Sequence, residues 1–164
     1  MMEKRATQVG VAEGRMLTGY AARFNTEARI AHFTEVIRPG AFQLDRDVLA
    51  LVDHDASKLL GRSKTGTLTL EQDQEGLRYT IQLPDTQLGR DVLTLAERGD
   101  LGGMSFGFTV KDEHWQDDKR ELRSIDLHEI SVVSAWPAYD GTSVQARSKA
   151  SPRLALARLY VRTL

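Results

Sequence analysis

Apolar positions along this chain recur mostly at every second residue, the period of a strand with one buried face. The pattern predicts strands over 17–24 and 33–38 around a loop at 25–31, with Pro39-Gly40 as punctuation. Ala41-Phe42-Gln43-Leu44 reads as the start of a helical turn. Residues 48–52 are apolar on both faces and predict a buried strand ending near His54. Residues 66–71 and 77–83 predict a hairpin, with Leu77, Tyr79, Ile81 and Leu83 facing inward. The period then lengthens: Leu88, Val92, Leu95 and Ala96 predict a helix over 86–98, capped by Asp85 or Thr86 and closed by Gly99.

Alternation returns at 103–110. Met104, Phe106, Phe108 and Val110 share one face, while Ser105, Gly107 and Thr109 share the other. Residues 111–120 read as a polar loop carrying Trp115, and 121–135 as one or two further strands. Pro137 to Thr142 is a turn, 143–151 a linker, and Ser151-Pro152 the start of a terminal helix. Regular strand–helix alternation is missing, which disfavours a doubly wound parallel sheet. The expected fold is α+β, mainly β: a closed or partly closed antiparallel β-barrel flanked by helices. One domain over 1–145, with its core at 17–145, is followed by a tail or helix at 146–164.

Composition narrows the chemistry. At 164 residues the chain is long enough to bury a core, and 41% hydrophobic with 27% charged residues is ordinary for a globular domain. A net charge of -1 gives no general attraction for nucleic acid or an anionic membrane. No cysteine is present, which excludes disulfides, thiol nucleophiles and thiolate metal sites and fits a reducing cytoplasm. Neither a signal peptide nor an apolar run of membrane-spanning length is visible. No cofactor motif is recognised.

Three residues supply the types that acyl transfer needs: Ser105 as nucleophile, His54 as base, and Glu129 to orient the base. Residues 103–107 spell Gly-x-Ser-x-Gly but lack the strand–turn–helix setting of a nucleophile elbow, so that reading is rejected. Glu129, in an otherwise apolar strand, requires a partner such as His54, Arg62, Arg90 or Arg123. His128 is the alternative third member, and alternation puts it on the opposite face from Glu129. Asp53, His54 and Asp55 could instead ligate a metal, although His32, His114 and His128 fall at no matching spacing. Trp115 and Trp136 read as packing residues, and the turn at 61–64 as a plain loop or an anion site.

Taken in order, several segments resemble the prohead maturation proteases of tailed bacteriophages, the HK97-like type. They are Gly19 to Asn25, Glu35 to Phe42, Asp53-His54-Asp55 with Leu60-Gly61-Arg62, the 66–77 hairpin, Gly103 to Phe108, and Glu129 to Val133 with Pro137-Ala138-Tyr139. The resemblance spans residues 17–145. It implies a serine endopeptidase with a barrel similar to the herpesvirus assembly protease, and it makes Ser105, His54 and Glu129 the triad. It further implies cleavage of scaffolding protein, or of the scaffold domain of the capsid protein, and of the protease itself, inside the procapsid in the bacterial host. A homo-oligomer is suggested by analogy alone, and Trp136 to Gly141 is the expected oxyanion hole. The competing class is a non-catalytic capsid-assembly protein on the same fold, and convergence of the three residues separates the two.

Overall fold

The computed structural model describes residues 10–12 and 14–135. Its strands are β1 (Gly10–Ala12), β2 (Met16–Arg23), β3 (Ala28–Ile30), β4 (Phe33–Ile37), β5 (Phe42–Gln43) and β6 (Leu49–Val52). They continue with β7 (Asp55–Arg62), β8 (Leu68–Gln72), β9 (Gly76–Gln82), β10 (Gly103–Gln116) and β11 (Lys119–Val133), with one helix, α1 (Gln87–Arg98), after β9. The hairpin and the helix form where the sequence places them. Leu77, Tyr79 and Ile81 are buried, and the helix is capped by the Thr86 hydroxyl and closed by left-handed Gly99. Leu95 falls at the edge of the buried stripe and stays exposed.

Three expectations are corrected. Residues 111–116 and 119–120 form no loop; they carry β10 and β11 on into a long hairpin, whose β11 arm also pairs with β4. Its residues are polar on both faces because most of this stretch is exposed, so no alternation marks it. Phe42–Gln43 pairs with β11 as a short strand where a helical turn was expected. Finally, the pairings of the described residues make two sheets and do not close into one antiparallel ring.

The first sheet, in the order β1-β2-β9-β8, is antiparallel throughout. The second is mixed and is organised by β11. One edge of β11 carries β10, antiparallel from Gly103↔Val133 to Gln116↔Lys119. The other edge takes β4, β5 and β6 in succession, all parallel. A single hydrophobic core joins both sheets: Leu17, Leu77 and Ile81 belong to it together with Phe106, Ile125 and Ile130. Burying a side chain as large as Phe106 stabilises the fold by roughly 1.5–3 kcal/mol. The Gln72 side-chain amide also staples the sheets, accepting from Phe42 N at 3.1 Å and donating to Phe42 O at 2.9 Å.

One irregularity sets up the site. Gly107 pairs with Glu129 but Phe108 pairs with Leu127, so His128 is the extra residue of a β-bulge. The bulge reverses the parity of β11. Ile125 and Leu127 face the core before it, Ile130 and Val132 after it, and each lies opposite one of Val110, Phe108, Phe106 and Met104. Glu129 and Ser131 are thereby turned to the other face, opposite Gly107 and Ser105.

Candidate active site

The site face is a small square of side chains. Ser105 and Gly107 on β10 stand opposite Ser131 and Glu129 on β11. Ser105, Glu129 and Ser131 are all fully buried. Their neighbours Met104, Phe106, Ile130 and Val132 are anchored in the core behind them, which holds the square in register.

His54 arrives from the far edge of β11. Because β6 runs parallel to β11, with Leu51 opposite Ser131 and Val52 opposite Val132, the chain leaves β6 one residue past Ser131. Asp53 and His54 then form the two-residue loop between β6 and β7, with φ of 49° and 58°. Two successive left-handed residues are the signature of a type I′ hairpin turn, whose twist suits the flanking strands. Neither residue is glycine, so each position costs on the order of 1 kcal/mol or more. Backbone ties offset this: Asp53 N–H donates to Val132 O at 2.8 Å and His54 N–H to Ser131 Oγ at 2.7 Å.

So placed, the imidazole bridges the square. Nδ1 makes a short hydrogen bond to Glu129 Oε1, and Nε2 lies 3.0 Å from Ser105 Oγ. A carboxylate can only accept, so Nδ1 carries the proton and Nε2 is left to accept from the serine hydroxyl. The imidazole side chain is 5% exposed and the Glu129 side chain 0%, so their mutual attraction is little screened by water. Gly107 makes this possible: a Cβ there would lie 2.7 Å from Glu129 Oε1 and 3.1 Å from its Cγ.

The other candidates are drawn elsewhere. His128 does not sit opposite Glu129's face as alternation implied. The bulge lets its Nε2 reach Thr109 Oγ1 at 2.7 Å, on the Ser105 side, while Arg46 donates to its Nδ1 at 2.7 Å. Burial and then the Arg46 charge push its pKa down to about 4, so it is neutral at neutral pH. Asp53 turns to Ser134, and Asp55 accepts from Ser57 N at 2.9 Å and Ser57 Oγ at 2.6 Å. The Asp-His-Asp run therefore diverges to three different partners, which argues against its acting as one metal-ligand set. Arg62 pairs with Asp47 at 2.8 Å and Arg123 with Glu121 at 2.8 Å, so neither is the partner of Glu129. Trp115 packs edge-on to Phe33, with ring centroids 5.1 Å apart, as a half-exposed packing residue. The expected oxyanion segment 136–141 lies outside the described residues, as do the linker at 143–151 and the terminal helix.

Sequence reasoning alone gives Ser131, Gly107 and Asp53 no part in positioning the histidine. Ser131 carried a signal, lying two residues from Glu129 on the same face. The turn conformation of Asp53 had only a weak one, the tolerance of Asp for left-handed backbone.

A hydroxyl, an imidazole and a carboxylate in this line form the constellation of a serine hydrolase. The match to known families narrows the class: the Caudovirus prohead serine protease family model covers residues 2–154, and the chain belongs to that family. It is accordingly a serine peptidase of phage capsid maturation, with a capsid or scaffold protein as the implied substrate and the procapsid as its place of work. No curated protein and no solved structure matches it. Among the described residues, no helix is long and apolar enough to cross a membrane.

Proposed function

We propose that this chain is an endopeptidase of the HK97-like type that works through an acyl-enzyme on Ser105. His54 takes the hydroxyl proton as Oγ attacks the peptide carbonyl, then passes it to the leaving amine. Glu129 holds the Nδ1–H tautomer and stabilises the imidazolium that forms between the two transfers. Water then enters by the same route and releases the acyl group. The substrates in this reading are scaffolding protein or the scaffold domain of the capsid protein, and the protease itself. Its fold is a variant of the herpesvirus-type assembly protease in which the third member is a glutamate.

The carrying observation is the Glu129–His54–Ser105 line, assembled from residues 75 and 51 positions apart in sequence. A non-catalytic assembly protein has no need to bring those groups into register, so the line favours the enzyme. The test is incubation with the phage's own scaffold and capsid proteins, with fragments identified by mass spectrometry. Fragments made by the wild type and absent with Ser105→Ala support the reading. Fragments with both proteins, or with neither, overturn it.

A further inference from the structure

We propose that Asp53 is a positioning residue for His54, acting as a hydrogen-bonding clamp on the left-handed turn that carries the imidazole. This rests on the reading of Ser105 as nucleophile and His54 as base. The turn carries two non-glycine residues at positive φ, a conformation that persists only where other contacts hold it. The Asp53 carboxylate closes it: Oδ1 accepts from Ser134 N at 2.8 Å and Oδ2 from Ser134 Oγ at 2.5 Å. Ser134 directly follows β11, the strand that holds Glu129 and Ser131. The same turn is gripped at its next residue by the Ser131 hydroxyl, which accepts from His54 N–H. Base and orienting carboxylate are thus fastened to one strand, Glu129 through its own backbone and His54 through Asp53 and Ser131. A small rotation of the turn would carry Nε2 away from Ser105 Oγ, and misplacement of that size is costly to rate.

The clamp works by geometry, so charge at residue 53 is dispensable and hydrogen-bonding capacity is not. Asp53→Gly separates the clamp from the turn's strain, because glycine adopts positive φ freely but has no carboxylate. Asp53→Asn keeps two polar atoms in place to meet Ser134 N and Oγ. The expected result is that Asp53→Asn stays within about threefold of wild type, while Asp53→Gly lowers kcat about tenfold or more at unchanged KM. The rate at which a fluorophosphonate labels Ser105 in a cleaving preparation should fall in parallel, since it reads the nucleophile without a peptide. Ser134→Ala removes one of the two bonds and should give an intermediate loss. A glycine variant as fast as wild type, or an asparagine variant as slow as the glycine one, overturns the clamp. Ser105→Ala run alongside keeps the two claims apart. If it still cleaves, the nucleophile assignment fails; if it is dead while Asp53→Gly is unimpaired, only the clamp fails.

Discussion

Among the described residues two glutamates are completely buried, and the fold treats them in opposite ways. Glu35, on β4, meets the Arg120 guanidinium at 3.2 Å, and Arg120 also binds Glu113 at 2.5 Å. Glu129, on β11, meets the imidazole of His54. Each carboxylate would be expensive to bury alone. Arginine answers with a charge that never leaves, which suits a joint between strands. Histidine answers with a ring that can gain and lose a proton, and its other nitrogen faces a hydroxyl. The same burial problem thus yields a structural pair at one end of the β10–β11 hairpin and, in the proposed mechanism, a catalytic one at the other.

The contrast can be broken from either side. Ser105→Ala or His54→Ala should cost turnover roughly 10⁴-fold or more in a cleavage assay while leaving the fold intact. Glu129→Gln should cost about 10²–10⁴-fold, because the amide no longer fixes the tautomer or balances the imidazolium. Its thermal midpoint should barely move. Arg120→Met should do the reverse: it takes the Arg120 charge away from buried Glu35, with a stability loss of about 3–5 kcal/mol by denaturant titration and unchanged cleavage per folded molecule. Loss of catalysis in Arg120→Met at a temperature where it is folded would erase the distinction.

Gly107→Ala should give a smaller effect. The added methyl presses on the Glu129 carboxylate, so either Glu129 or β10 must shift, for about 1–3 kcal/mol of strain. Labelling of Ser105 should slow by about tenfold, and a smaller loss of stability should accompany it. The smallest effect is expected at His128. Replacement by asparagine should leave cleavage within about twofold, since His128 is bonded to Arg46 and Thr109 rather than to the line. It should also change the acid behaviour. The folded pKa of about 4 lies below the usual histidine value, so the unfolded chain binds more protons between the two. That contribution to stability is complete above about pH 6.5 and is lost as pH falls toward 4. His128→Asn should flatten this part of a stability-versus-pH curve.

The sequence was most legible where one face of an element is buried. Leu77, Tyr79 and Ile81 announced their strand, Thr86 and Gly99 bounded the helix, and Met104 to Val110 displayed Ser105 opposite a core face. Where a strand is exposed on both faces, as at 111–116, or mostly polar, as at Asp55 to Lys58, periodicity carries no information and the elements went unread. The parallel pairing of β4, β5 and β6 along one strand depends on tertiary register, which no local pattern encodes. For the site, residue types and faces were readable while distances were not. His54 reaches Ser105 only because β6 runs parallel to β11 and ends in a two-residue turn. The bulge at His128 was written in the three-residue step from Leu127 to Ile130, where strict alternation would have given two. That step is what turns Glu129 toward the histidine, and it brings His128 to Thr109, on the face that strict alternation denies it.

The central claim is that Ser105 is activated by His54 and Glu129 as one unit. Its most direct test is fluorophosphonate labelling of a preparation that cleaves its capsid-derived substrate, followed by intact-mass and peptide mapping. A single adduct on Ser105, formed by the wild type and lost or greatly slowed in both His54→Ala and Glu129→Gln, is the predicted result. An adduct on another serine, or labelling of Ser105 that proceeds unchanged without His54, would contradict it.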